Sequence, residues 1–243
     1  ERFAAIRAKG GRIGAAAAGY LLGSISTARL FGRIFAPGED FSKHDFVVEG
    51  TGVISFDVTS ATNISQKLGP RYGCSVAILD MLKVFLPTLF FRLAFPAFPC
   101  YLATAAFGVV GHNFPLYHGF RGGAGLAPAL GGLLVVDWLA VPVTPVAGMI
   151  LGFAVVRDAY AASVLWIFLL IPWFWIRTRS CAHVAYAVVL SVSFVVSMIP
   201  MTKQYFKIRK MGQEAIIGFY EQNPMGRGLV KIGRLFGLYK KKI

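Results

Sequence analysis

Two long apolar runs meet at a polar, glycine-rich turn, and no other feature limits so strongly what this chain can become. Gly111-His112-Asn113-Phe114-Pro115 closes the first run, and Phe120-Arg121-Gly122-Gly123-Ala124-Gly125 opens the second. In hydrocarbon every backbone N–H and C=O needs an internal partner, so irregular backbone survives only where protein buries it or where it lines a wet cavity. Composition selects the membrane setting: 56% of residues are hydrophobic and 15% charged, against about 25% charged in soluble domains. The turn is therefore expected to be part of a site rather than a plain connector.

Apolar runs and their breakers predict about seven helices, near residues 13–36, 72–95, 97–117, 124–138, 140–156, 159–176 and 181–200. Pro37-Gly38, Gly69-Pro70, Pro96 to Pro99, the glycine turn and Ser180 punctuate them. The expected fold is an all-α integral membrane protein with about seven transmembrane helices. A basic N-terminal segment (1–12) precedes the transmembrane domain (13–202), and a basic amphipathic tail (203–243) follows it. With the tail inside, the loops holding Lys43, Lys67, Arg71, Arg121 and Arg157 fall on the tail's side. Arg92, Arg177, Arg179 and the basic N-terminus run against that orientation.

The formal net charge of +14 is concentrated at the two ends of the chain. Arg2, Arg7, Lys9 and Arg12 precede the first span, and ten Lys and Arg residues from Lys203 to Lys242 follow the last. Juxtamembrane cations report topology and anionic-lipid contact, and no nucleic-acid fold pattern accompanies them. In the tail, Phe206, Ile208, Met211, Ile216, Ile217, Phe219, Leu229, Ile232, Leu235 and Phe236 are interleaved with the basic residues. That pattern suits one or two amphipathic helices, lying on an anionic membrane or docked on a neighbouring subunit. Cys74, Cys100 and Cys181 are widely separated, so they are read as packing residues, with no disulfide framework, metal site or cofactor indicated. The chain starts at Glu1, which leaves room for an upstream segment.

Ionisable groups inside apolar runs are functional candidates, because insertion of a charge costs at least about 2.5 kcal/mol. Asp80 and Lys83 sit at i and i+3, on one helical face. They read either as a self-neutralising pair that locks a helix or as an ammonium oriented toward a substrate phosphate. His112 is a helix-end cap or a base. Ser24 and the Thr62-Asn63 pair offer uncharged hydrogen-bonding groups. The glycine turn supplies unobstructed N–H groups at a helix start and Arg121 a guanidinium fork, together an anion pocket; a glycine helix-packing patch is the competing reading.

Taken in order, these stretches resemble the bacterial acyl-phosphate:glycerol-3-phosphate acyltransferases, the PlsY family of seven-helix membrane enzymes. The likeness runs from Tyr20 to about residue 209. Tyr20-Leu21-Leu22-Gly23-Ser24-Ile25 is similar to YLLGSIP, Ala61-Thr62-Asn63 to the end of GSGNIGATN, and Leu79-Asp80-Met81-Leu82-Lys83 to LDxLKG. Gly111 to Pro115 is similar to GHxFP, and Phe120 to Gly125 to FKGGKG. The resemblance implies metal-independent transfer of an acyl group from acyl phosphate to glycerol 3-phosphate in phospholipid synthesis. It also implies a phosphate-binding set of Ser24, Thr62, Asn63, Lys83, His112, Asn113, Arg121, Gly122, Gly123 and Gly125. No single residue is assigned as catalyst.

The departures fall on the reactive positions. Ala124 stands where the family has the second lysine of FKGGKG, and Phe56-Asp57-Val58 replaces Ser-Gly-Asn. Val84 takes the place of the last glycine of LDxLKG, and Ser26 that of the proline after GSI. The HRENIKR motif falls on Thr202 to Ile208, without its histidine, glutamate and asparagine. These losses imply a non-catalytic lipid-binding protein or structural subunit of a membrane assembly, in a bacterial cytoplasmic or organelle inner membrane. The alternative is an active, divergent acyltransferase with a phosphorylated small-molecule substrate.

Overall fold

The computed structural model describes residues 2–39, 41, 44–48, 52–56, 60–222 and 224–239, with side chains described for 11–39, 41, 60–222 and 225–239. Asp57, whose carboxylate stands where the family has a small polar anion ligand, lies outside the described residues.

Helices follow the apolar runs, with breaks where polar side chains capture free backbone groups. The run expected over 13–36 is two helices, α1 (Arg2–Gly23) and α2 (Thr27–Phe35). Ser26 caps α2 by accepting from the Arg29 N–H, so the chain turns sharply at residues 24–26. The all-α expectation needs one correction. Between α2 and α3 (Ala61–Leu68) lies an antiparallel hairpin, β1 (His44–Val48) and β2 (Gly52–Phe56), with Asp45 opposite Ser55 and Phe46 opposite Ile54. Both strands are rich in Val, Ile and Phe, which favour extended backbone.

Then come α4 (Pro70–Ala94), α5 (Cys100–Asn113) and α6 (Leu126–Val136), followed by α7 (Ala140–Ile150) with a π-helical continuation over Leu151–Val156. The run over 159–176 is split into α8 (Ala159–Val164) and α9 (Trp166–Thr178). The last run, α10 (Cys181–Lys210), continues through Pro200. In the tail, α11 (Gln213–Glu221) and α12 (Pro224–Leu235) follow. Among the described residues α4 and α10 are long and apolar enough to cross a membrane, while Leu126–Val136, Ala140–Val156 and Trp166–Thr178 are shorter apolar helices.

Polarity is distributed as a bilayer demands. Ile78, Leu82, Leu86, Phe90 and Leu93 of α4 and Val192 and Val196 of α10 point outward, whereas Thr88, Thr104, Asn113, Thr144, Ser191 and Ser193 are buried. An outer surface this apolar fits lipid as solvent. Leu102, Val109, Leu133, Ile167, Leu170, Phe174 and Leu190 form the main core. The tail expectation is sharpened. Phe219, Tyr220, Val230 and Tyr239 pack with Phe153, Ala159, Ala162, Tyr205 and Ile208, so much of the tail's apolar face is covered by the chain itself. Asp158 pins this contact: it caps α8 at Ala161, accepts from the Tyr205 hydroxyl at 2.7 Å and pairs with Arg209 at 3.3 Å.

Two arginines that oppose the charge-based orientation are tied down locally. Arg177 pairs with Asp137 at 2.6 Å, and Arg92 donates to the Val135 carbonyl. Asp137 also accepts from the Trp173 indole at 3.0 Å. Cations satisfied in this way weigh less on topology than free ones.

The turn between α1 and α2 is placed by a close helix seam. A Cβ on Gly23 would stand 2.1 Å from the Gly108 carbonyl oxygen, and one on Gly19 2.4 Å from that of Thr104. Small residues let the α1 and α5 backbones touch, a usual device where no hydrophobic force operates between helices. Gly23→Leu is expected to lower the unfolding midpoint in detergent by roughly 5 °C or more, the scale of about 2 kcal/mol of overpacking. Gly14→Leu, whose Cβ meets nothing within 4 Å, is expected to leave the midpoint unchanged, and a thermal-shift comparison of the two checks the seam.

Candidate functional site

The turn between α1 and α2, the middle of α4, the end of α5 and the glycine turn converge on one small polar pocket. Ser24, Thr27, Asp80, Lys83, His112, Gly122 and Gly123 are among the residues lining it. The Lys83 ammonium has three partners: Asp80 Oδ1 at 2.8 Å, His112 Nδ1 at 2.9 Å and the Ile25 carbonyl at 2.8 Å. An ammonium only donates, so Nδ1 of His112 accepts and the neutral ring carries its proton on Nε2. The 3.5 Å approach of Nδ1 to Asp80 Oδ1 is then a proximity and not a second bond. Thr27 donates to the same Asp80 oxygen at 2.5 Å. The carboxylate and ammonium are nearly buried, and each is satisfied by short contacts, as a charge pair in low dielectric must be.

Ser24, fully buried, donates to the Tyr20 carbonyl at 2.8 Å and accepts from the Leu116 N–H at 3.3 Å, tying the α1 end to the segment after α5. Gly123 N–H donates to the His112 carbonyl at 3.3 Å, and a Cβ on Gly122 would fall 2.0 Å from that oxygen. The free volume left in the pocket is about 10 Å³, room for about one water.

The other expected ligands are elsewhere. Asn113 is buried and donates to Ser193 Oγ of α10 at 2.8 Å, and its Oδ1 lies against Gly125. Gly125 has φ +77° and heads α6, so its part is in turning the chain. Arg121 is exposed and does not line the pocket; its carbonyl accepts from Arg29 Nη2 at 2.9 Å. Thr62 and Asn63, at the start of α3, line a different cavity of about 220 Å³ together with Ala124. Around it stand Leu126, Tyr160, Phe194, Met198, Met201 and Leu229, with no lysine or arginine among the described lining residues. The glycine turn thus has two outlooks: Gly122 and Gly123 face the polar pocket and Ala124 the apolar cavity.

Sequence reasoning missed Thr27 and the Ile25 carbonyl, because both depend on the break within what reads as a single apolar run. It also missed a cationic approach. Arg29 and Arg33, with the single carboxylate of Glu39, line a cleft of about 300 Å³ along α2. Burial first, then Arg29, Arg33 and Lys83, holds His118 below the ordinary imidazole value. Positive potential therefore collects near the polar pocket, the sign that draws anions.

The profile of the glycerol-3-phosphate acyltransferase family matches residues 13–210. A glycerol-3-phosphate acyltransferase of Legionella pneumophila (strain Corby) is 37% identical over 121 residues, 48% of this chain and 38% of the relative. One from Aquifex aeolicus is 36% identical over 119 residues, 49% and 56% of the two chains. One from Desulfotalea psychrophila is 31% identical over 161 residues, 62% and 76%. The chain thus spans about two fifths of the Legionella relative and over half of the Aquifex one. Among solved structures, the integral membrane acyltransferase PlsY in its glycerol 3-phosphate form superposes with a TM-score of 0.64 at 23% identity, over 81% of this chain and 92% of that one. Its lysophosphatidic acid form gives 0.62 at 22% over the same shares. At that identity the likeness speaks for the fold.

Removing one member of the buried ion pair strands the other. Lys83→Met is expected to destabilise by about 3–5 kcal/mol, and Asp80→Asn with Lys83→Met by clearly less than Lys83→Met alone. Equilibrium unfolding in detergent for the two single variants and the double checks this, and simple additivity would show that the pair is not coupled.

Proposed function

Because this chain belongs to the glycerol-3-phosphate acyltransferase family, we propose that it is a lipid-binding membrane protein that keeps the PlsY fold without running acyl transfer from acyl phosphate to glycerol 3-phosphate. The observation that carries this reading is the cavity beside Ala124. There the family resemblance calls for a phosphate-facing lysine, and here a methyl group opens on an apolar space that Met198, Met201, Phe194 and Leu229 share. Losing a preorganised cation from an acyl-transfer site costs about two to three orders of magnitude in rate. The same surroundings favour a hydrocarbon chain over a phosphate. The polar pocket supports the reading too, since all three Lys83 donors are engaged and a phosphate has to displace one of them to enter.

A second reading, an active divergent acyltransferase, is favoured by the convergence of Ser24, Lys83, His112, Gly122 and Gly123 on one pocket, with Arg29 and Arg33 on the adjoining helix α2. In it Lys83 exchanges the Ile25 carbonyl for a phosphate oxygen. His112 donates from Nε2, and the turn amides position the charge for attack by the acceptor hydroxyl.

Incubating the detergent-purified protein with palmitoyl phosphate and labelled glycerol 3-phosphate separates the two. The expected result is no lysophosphatidate above a protein-free control, with phospholipid retained on the protein in native mass spectrometry. Product that falls at least a hundredfold in Lys83→Ala would overturn the lipid-binding reading and establish the second.

A further inference from the structure

We infer that the outward face of α12 is a docking surface for an anionic phospholipid bilayer, with Leu235 and Phe236 entering the acyl layer and Arg227 and Lys231 taking up lipid phosphates. The inference concerns the outside of the tail and holds whether or not the chain transfers acyl groups. α12 lies beyond the stretch that the family profile matches.

Helical spacing sorts α12 into three strips. Gly226, Val230 and Gly233 are buried, the two glycines against Tyr220, Tyr239 and Phe153. On the outward side, at about 100° per residue, Arg227, Lys231 and Arg234 fall along one flank, and Met225, Leu235 and Phe236 along the other. Phe236 still belongs to the helical pattern, since its N–H donates to the Ile232 carbonyl at 3.2 Å. Leu235 is 85% exposed and Met225 78%. A helix that separates cations from apolar side chains in this way is suited to the bilayer interface, where each flank meets its own medium.

The fold also puts this face at the right depth. α10 runs from Cys181 to Lys210, and about 20 residues of helix cross the hydrocarbon. The exposed Lys203, Lys207 and Lys210 therefore stand at the headgroup level where the tail begins. From there α12 returns beside the end of α7, and the Phe236 ring stacks on Phe153 of the π-helical continuation, with centroids 5.6 Å apart and planes at 17°. Val155 and Val156 of that continuation, and Ile150 just before it, point outward. The apolar flank of α12 thus adjoins a surface that already faces lipid, which favours the bilayer over a protein as its cover. Charge selects the kind of bilayer. Arg234 is drawn back to Glu221 at 3.3 Å, whereas Arg227 and Lys231 have no ion-pair partner among the described residues. Two unneutralised cations beside inserted apolar side chains fit anionic headgroups.

The test places the photocrosslinking amino acid p-benzoylphenylalanine in the full chain instead of Leu235, in nanodiscs of equimolar phosphatidylcholine and phosphatidylglycerol, and identifies adducts by mass spectrometry. Lipid adducts are expected at 235, with phosphatidylglycerol enriched roughly fivefold or more, the effect of one Lys or Arg beside an anionic surface. The same crosslinker at the outward Val192 of α10 should give lipid adducts near parity. Arg227→Gln with Lys231→Gln should return the 235 adducts to near parity while the unfolding midpoint stays unchanged. Salt near 1 M, where the Debye length falls to about 3 Å, should do the same without any change to those two residues. Lipid adducts at 192 but none at 235 overturn the docking surface. Enrichment that survives in the double variant and in high salt, or that is equal at 192, overturns the assignment to Arg227 and Lys231. In membranes of the expressing cells, a protein adduct at 235 in place of lipid overturns the bilayer as the partner. Crosslinking is read without turnover, so acyltransferase activity bears only on the non-catalytic reading and the adducts at 235 only on this inference.

Discussion

The Lys83 ammonium is the point on which the arrangement of the inner helices turns. A cation in an apolar helix is tolerated only when each N–H finds a partner, and its three partners come from three places: Asp80 one turn back on α4, the Ile25 carbonyl at the α1–α2 break, and His112 at the end of α5. Satisfying one side chain therefore fixes α4 against the break and against the segment that leads into the glycine turn. Thr27 adds a fourth contact through Asp80. Because the Lys83 ammonium is paired on all sides, the network is at once a lock on the fold and a pocket lining, and its geometry by itself serves both descriptions.

Two further devices bring those partners within reach. The glycine seam between α1 and α5 lets their backbones touch, so that residues 24–27 and 112 share one neighbourhood. Asp158 then joins α8 to the end of α10 through Tyr205 and Arg209, which sets the direction in which α11 and α12 leave. The tail consequently returns over the body of the chain and covers its own apolar face, a result that a reading of the tail as a free amphipathic segment does not contain.

Family membership and the apolar cavity meet at one position. Gly122 and Gly123 approach the His112 backbone and ring closely. One residue on, Ala124 looks into a space without a described cation. A long ammonium side chain, which the family resemblance implies at this position, would suit phosphate oxygens, whereas the Ala124 methyl group suits hydrocarbon.

The sequence by itself determined the membrane class, the location of the apolar runs and the family, because contiguous apolar runs, their breakers and ordered motif fragments are local signals. It also placed Asp80 and Lys83 on one face, since i and i+3 are neighbours on any helix. The grouping of the remaining polar residues was decided by the tertiary structure. Ser24, Lys83, His112, Gly122 and Gly123 meet in one pocket, whereas Thr62 and Asn63 line another cavity, Asn113 pairs with Ser193 and Arg121 faces outward. The helix break that recruits Thr27 and Ile25, and the hairpin between α2 and α3, were likewise invisible in the apolar pattern. Which side chains share a pocket depends on how distant helices cross, and those crossings are set by close backbone contacts and buried polar partners that no local stretch of sequence contains.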